Sequence, residues 1–201
     1  MATQKPSFRP ATKADAATLA VLVDIAGEGM PSFMWSTLKV PGQSVLEFGR
    51  DRARRDTGGF SYKNAVIAET DGEIAAALVG YRLDDPYDLQ GSLAEAPEIV
   101  QPLVRLEAKA PGSWCVNVLA TFPEFRRRGI GCELLAVAET KAREAEAPAL
   151  SVIVGSWNGG AKRLYASGGY LELANEPAIL FPGSPHEGDW VLMTKLLKET
   201  G

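Results

Sequence analysis

Six consecutive residues, Arg126-Arg127-Arg128-Gly129-Ile130-Gly131, carry the densest phosphate-binding chemistry in the chain. They follow an apolar, β-branched run, Trp114 to Thr121 (WCVNVLAT), which reads as a strand. They open a segment, Gly131 to Glu146, with Leu134, Leu135, Val137 and Ala138 apolar and its far face charged, which reads as a helix. A strand, a glycine-bearing turn and a helix start form an arrangement suited to an anion. Glycines let backbone N–H groups come close to it. A helix N-terminus offers unpaired N–H donors and a partial positive charge. Arginines add charge-assisted donors whose geometry fits phosphate oxygens. The residues expected to hold a phosphate are therefore Arg126, Arg127, Arg128, Gly129, Ile130, Gly131 and Cys132. Two common phosphate loops do not fit. The Gly-Lys-Ser/Thr end of a Walker-type loop is absent, and Cys132-Glu133-Leu134 stands where a dinucleotide fingerprint needs its last glycine.

Other reactive side chains are sparse. Cys115 and Cys132 are the only cysteines and His186 the only histidine. They form no CxxC pair or Cys/His cluster, so neither a metal site nor a disulfide framework is expected. Cys132 sits at a helix start, where a thiol pKa can fall, but a bystander role suits a lone cysteine better. The formal net charge of -4 argues against non-specific nucleic-acid binding, which needs a basic surface. The first ten residues, MATQKPSFRP, lack the apolar core of a signal peptide. No apolar run approaches a membrane span. A cytoplasmic protein without membrane or nucleic-acid partners is the expectation.

The elements that must position these residues follow from pattern. Phe8 to Pro10 is a short strand. Ala14 to Ile25 is a helix with Leu19, Leu22, Val23 and Ile25 on one face, broken by Gly27, Gly29 and Pro31. Val45 to Arg55 is a second helix. Lys63–Glu69 and Glu73–Arg82 form a hairpin about Asp71-Gly72. Residues 84–112 interrupt the strands with a helix at Pro97–Ala110, open to three readings: a lid, a dimer surface or core cover. Leu150–Val154 is a wholly apolar, buried strand. Asn158–Ala166 is a short helix stopped by Gly168-Gly169. Tyr170–Leu173 and Asp189–Leu196 are the last strands. Nothing divides these 201 residues into separate domains.

In that frame, Arg126-x-x-Gly129-x-Gly131, with its run-in Phe122-Pro123-Glu124-Phe125, resembles motif A of the GNAT family of N-acetyltransferases. Asn158, Ala161, Leu164-Tyr165, Gly168-Gly169 and Tyr170 resemble that family's motif B at the expected separation. The resemblance is good from about Trp114 to Leu196 and only topological before it. It implies an α/β (α+β) GNAT fold. Its central sheet would be mixed and mostly antiparallel, splayed between strands 4 and 5 and flanked by helices, with an extra helix inserted between strands 3 and 4. It implies acetyl-CoA as co-substrate, with no metal. The pantetheine arm would pair with the backbone of Leu119, Ala120 and Thr121, the amides from Arg127 to Cys132 would hold the pyrophosphate, Asn158 would bond the arm, and Tyr165 would sit beside the sulfur.

The implied reaction is direct transfer of an acetyl group to a primary amine in a ternary complex. Tyr165, whose hydroxyl carries a proton at neutral pH, is the candidate acid for the leaving thiolate. The strand Ser151–Ser156 offers no carboxylate to act as base. Glu28 and His186, in loops that flank the acceptor side of such a fold, are the candidates instead, beside a water path. His186 has the better intrinsic pKa. The acceptor pocket would draw on Glu28–Leu38 and Phe181–Asp189. Trp35 either lines that pocket or packs in the core, while Trp114, Trp157 and Trp190 read as packing residues. A second reading keeps the fold without turnover, as an acyl-CoA-binding sensor or interaction module. A homodimer is compatible with both.

Overall fold

The computed structural model describes residues 5–184 and 186–197. The first four residues of the stretch read for a leader, and Pro185 of the acceptor-side loop, lie outside the described residues. The strands are β1 (Ser7–Pro10), β2 (Ala65–Thr70), β3 (Glu73–Arg82), β4 (Trp114–Thr121), β5 (Ala149–Gly155), β6 (Leu171–Pro177) and β7 (Asp189–Leu196). The α-helices are α1 (Ala16–Ala26), α2 (Met30–Leu38), α3 (Val45–Ala53), α4 (Leu89–Glu95), α5 (Gln101–Glu107), α6 (Ile130–Glu144) and α7 (Gly159–Ser167).

The strands form one mixed sheet in the order β1-β2-β3-β4-β5-β7-β6. β1–β2, β2–β3, β5–β7 and β6–β7 are antiparallel, and β4–β5 is parallel. The parallel ladder covers only Trp114↔Leu150, Cys115↔Ser151 and Val116↔Val152. β5, by contrast, pairs with β7 along its whole length, from Ala149↔Leu196 to Gly155↔Trp190. Among the described residues, the last three of β5, Ile153 to Gly155, pair with β7 and not with β4.

The chain gathers into two compact units, 1–80 with 118–134 and 81–117 with 135–201. In the first, α1 buries Leu19, Leu22 and Val23 with Ile67, Ala77 and Val79 of the hairpin and Val118 and Ala120 of β4. At roughly 25 cal/mol per Å² of apolar area removed from water, such burial is the main term that fixes these elements. Trp35 belongs to this core, stacked on Phe60 at 5.9 Å, and a Cβ on Gly49 would collide with its ring. It is a packing residue. Arg9 bridges Asp15 at 2.8 Å and Glu69 at 2.7 Å, and the Asp15 carboxylate also accepts from the Thr12 N–H at 2.7 Å.

In the second unit, Leu106 and Ala110 bury themselves with Leu192, against Ile153, Ala174 and Trp190. Of the three readings of the inserted helix, core cover is what the packing of α5 displays.

Several expectations need correction. The inserted segment holds two α-helices, α4 and α5, with a 3-10 turn at Glu98–Val100, rather than one helix over Pro97–Ala110. The residues read as breakers, Gly27, Gly29 and Pro31, include the start of an unforeseen helix. Gly29, at φ 87, is the N-cap of α2, and Pro31 sits in its first turn, where its missing N–H costs nothing. Lys63 and Asn64 belong to a 3-10 turn before β2, and β6 runs on to Pro177.

Candidate functional site

In the first unit the loop expected to hold a phosphate is built by turns. The Phe122 N–H closes onto Ala75 O at 2.9 Å and ends β4. A 3-10 turn, Pro123–Phe125, follows, with Phe125 and Ile130 buried as its anchors. The Arg126 Nε donates to Thr121 O at 3.1 Å. Arg128 donates to Glu124 O at 2.8 Å and lies over the Phe125 ring, 5.1 Å from its centroid, a cation–π contact. Two guanidinium groups are thereby fixed beside the helix start by backbone and ring.

The loop backbone is unusual. Arg127 holds a φ of 64 and Gly129 of 83, a left-handed region that costs an L-residue roughly 1–2 kcal/mol. The first bonds back from α6 are Cys132 N to Gly129 O at 3.0 Å and Glu133 N to Gly129 O at 3.2 Å. Among the described residues no backbone acceptor is seen for the amides of Arg127 and of Gly129 to Gly131. A run of N–H groups at a helix N-terminus has the chemistry to receive an anion. Leu119 and Thr121 are half-buried, Ala120 is buried, and Cys132 is exposed. Glu28 lies between α1 and α2 with φ 53, half-buried.

In the second unit, Asn158 caps α7 through Oδ1, which accepts the Ala161 N–H at 3.0 Å. One turn from the end of that helix, Tyr165 is buried with its ring 5.7 Å from that of Tyr170. Burial pushes the Tyr165 hydroxyl well up, with the nearby Cys115 adding to it. At neutral pH it is a proton donor. The Tyr170 hydroxyl is buried without a hydrogen-bond partner among the described residues, which is costly unless a ligand or water meets it. His186 is exposed and stacked on Trp157 at 5.8 Å, and Trp157 meets Trp190 edge-on at 5.0 Å.

The strand Ala149–Gly155 carries no carboxylate, as read from sequence. A carboxylate that sequence reasoning passed over stands elsewhere in this unit. Glu107, the last residue of α5, accepts the Tyr87 hydroxyl at 2.9 Å. Desolvation raises its pKa, partly offset by that bond. Tyr87 is pushed up to about 12, chiefly by burial and then by the charge of Glu107. Tyr81 is raised well above its usual value by burial, then by Cys115, Glu107 and Tyr87, and the buried Cys115 thiol is raised by burial, then by Glu107. Beside this cluster, Ser113 Oγ donates to Ala110 O and meets Ser151 Oγ, both at 2.7 Å. The one sequence signal for Glu107 is its spacing, four residues after Leu103, on the edge of the apolar stripe Ile99, Leu103, Leu106 and Ala110.

Among the described residues, no helix is long and apolar enough to cross a membrane, and no group of three or more His, Cys, Asp or Glu is placed to hold a metal ion.

Residues 34–170 match the model of the acetyltransferase (GNAT) family. Solved structures show the same fold. A crystal structure described as an acetyltransferase is 21% identical over 96% of this chain and 100% of its own, with a TM-score of 0.66. The polyamine N-acetyltransferase of Drosophila melanogaster is 16% identical over 96% of this chain and 100% of its own, with a TM-score of 0.64. A Salmonella typhimurium chain described as an acetyltransferase and solved with its cofactor acetyl-CoA is 17% identical over 98% of this chain and 97% of its own, with a TM-score of 0.58. No curated protein sequence matches this chain.

Proposed function

Because this chain belongs to the GNAT acetyltransferase family, we propose that residues 1–201 act as one catalytic domain that transfers an acetyl group from acetyl-CoA to a primary amine, by direct attack with both substrates bound. Acetyl-CoA supplies the acetyl group already activated as a thioester. The observation that carries the reading is the loop from Arg126 to Cys132. Its two left-handed residues and its run of unspent amides ahead of α6 suit a pyrophosphate. The backbone of Leu119, Ala120 and Thr121 is the proposed partner of the pantetheine arm, in the manner of an added strand. Asn158 is the proposed polar contact to that arm.

Tyr165 is assigned as the acid that protonates the departing sulfur. Its raised pKa keeps the proton in place at neutral pH, and its burial keeps water from competing for the role. The unpartnered Tyr170 hydroxyl beside it supports a site that takes a polar ligand atom. The acceptor must be neutral to attack, so the chain must also take up a proton from an ammonium group.

Thiol release from acetyl-CoA on a panel of primary amines tests the proposal. Release with at least one amine is expected. Tight CoA binding with no release for any amine would point instead to a non-catalytic acyl-CoA-binding module.

A further inference from the structure

We propose that Tyr170 is a positioning residue for the reaction's acid: its hydroxyl donates a hydrogen bond to the Tyr165 oxygen as that oxygen gives its proton to the departing sulfur. The proposal rests on the acetyl-transfer reading above, with Tyr165 as the acid. It begins from a hydroxyl that the free protein leaves unused. Tyr170 is 3% exposed, and among the described residues its Oη has no hydrogen-bond partner. A buried hydroxyl without a partner destabilises the fold that holds it.

Two contacts fix Tyr170 against Tyr165, both inside the second unit. The Tyr170 N–H donates to Tyr165 O at 3.1 Å, which ties the residue before β6 to the last turn of α7. The two rings pack with centroids 5.7 Å apart and planes tilted by 55°, a contact distance for aromatic pairs. The turn between them is itself bonded. The Gly168 N–H donates to Leu164 O and Tyr165 O, the Gly169 N–H donates to Ala166 O, and Gly169 takes a φ of 88.

The other groups around Tyr170 are poorer acceptors. Burial raises its hydroxyl, and Tyr165, Glu139 of α6 and Cys115 of β4 add to this in that order. Glu139 already accepts from Lys195 at 2.6 Å and from Arg143 at 2.9 Å. Cys115 offers a buried thiol, which is a weak acceptor.

Tyr165 has need of such a donor. Its burial keeps the proton in place but also makes the group a weak acid. A phenolate in an apolar interior is costly unless a donor meets it. Burial and Cys115, the influences on Tyr165 among the described residues, both act against the anion. A neutral donor held beside charge that develops only in the transition state speeds the step without tightening ground-state binding.

The step balances as follows. The nitrogen lone pair of R–NH2 forms the N–C bond to the thioester carbon. The C–S bond breaks, and its electron pair leaves on sulfur, which takes the Tyr165 proton. Tyr170 keeps its own proton and shares it with the Tyr165 oxygen as a hydrogen bond. The proton that nitrogen loses as the amide forms restores Tyr165.

The test is a double-mutant cycle of the wild type, Y165F, Y170F and Y165F/Y170F, with kcat, CoA affinity and melting temperature measured for each. Y170F is expected to lose about 10- to 100-fold in kcat, the effect of one hydrogen bond to a charged group. Its CoA affinity is expected to be unchanged and its melting temperature equal or higher, since the hydroxyl it removes has no partner in the free protein. Y165F/Y170F is expected to be no slower than Y165F, because Tyr170 acts through Tyr165. Y170F that keeps the wild-type rate while Y165F loses it overturns the role of Tyr170 alone. So does a Y170F loss of the same size in the Y165F background, or a Y170F that melts markedly lower. A wild type that turns over while Y165F is unimpaired overturns Tyr165 as the acid and this role with it. A wild type inert on every amine overturns the acetyl-transfer reading itself.

Discussion

Alanine at Gly129 places a defined strain in the loop that the account assigns to pyrophosphate. Gly129 sits at φ 83, and a Cβ built there meets nothing within 4 Å. Gly129→Ala therefore introduces no clash. Its cost is backbone strain alone, about 1–2 kcal/mol for an L-residue held left-handed. That cost has two places to appear. If the loop keeps its shape without ligand, the free protein loses the whole amount and melts roughly 2–4 °C lower per kcal/mol, while CoA affinity stays the same. If the loop relaxes when empty, melting is unchanged and CoA must restore the strained shape, so Kd rises by about 5–30-fold. The two losses, expressed as free energies, must sum to about 1–2 kcal/mol. Thermal melting without ligand and calorimetric titration with CoA measure them. A variant that melts and binds as the wild type does would refute the link between this backbone and the ligand. A loss far above 100-fold would refute the claim that strain alone is involved.

Tyr165→Phe should lower kcat by more than it changes CoA affinity, and unchanged turnover in steady-state assays would remove Tyr165 as the acid. Asp15 has its pKa lowered from 3.8 to about 2, first by its hydrogen bond from Arg9 and further by Thr12. Its stabilisation is therefore full above pH 4 and lost as pH falls through about 2. Asp15→Asn should cost about 2 kcal/mol in denaturant titrations at pH 7, and the gap to wild type should close near pH 2. Leu106→Ala should cost about 2–5 kcal/mol, read by the same titrations, because Leu106 is fully buried among Ala110, Leu192 and Ile153. A loss under 1 kcal/mol would contradict the anchoring of α5.

What the chain shows before folding depends on how local the cause is. β3, β4 and β7 match the structure residue for residue, since β-branched and apolar runs closed by turn residues are local signals. The loop at Arg126–Gly131 is equally local, because the glycines and arginines that shape it are also the groups proposed to meet the anion. α2 was hidden because Gly29 and Pro31 end one helix and start another with the same chemistry. The end of the β4–β5 ladder at Val116 and Val152 is a feature that no single residue encodes. Trp35 had two readings until the stack on Phe60 and the bare Gly49 placed it in the core. Glu107 was one acidic residue among several in the insert. Its raised pKa comes from burial, and its partner, the Tyr87 hydroxyl, is brought to it from another part of the chain, which is a property of packing alone.

The central claim is acetyl transfer to nitrogen, and the fate of a labelled acetyl group tests it most directly. Protein incubated with isotopically labelled acetyl-CoA and the amine that gives the fastest thiol release should yield the labelled N-acetyl amine, one for each thiol freed, by mass spectrometry. Label that stays in the thioester, or that leaves only as free acetate while the amine remains unmodified, would contradict it.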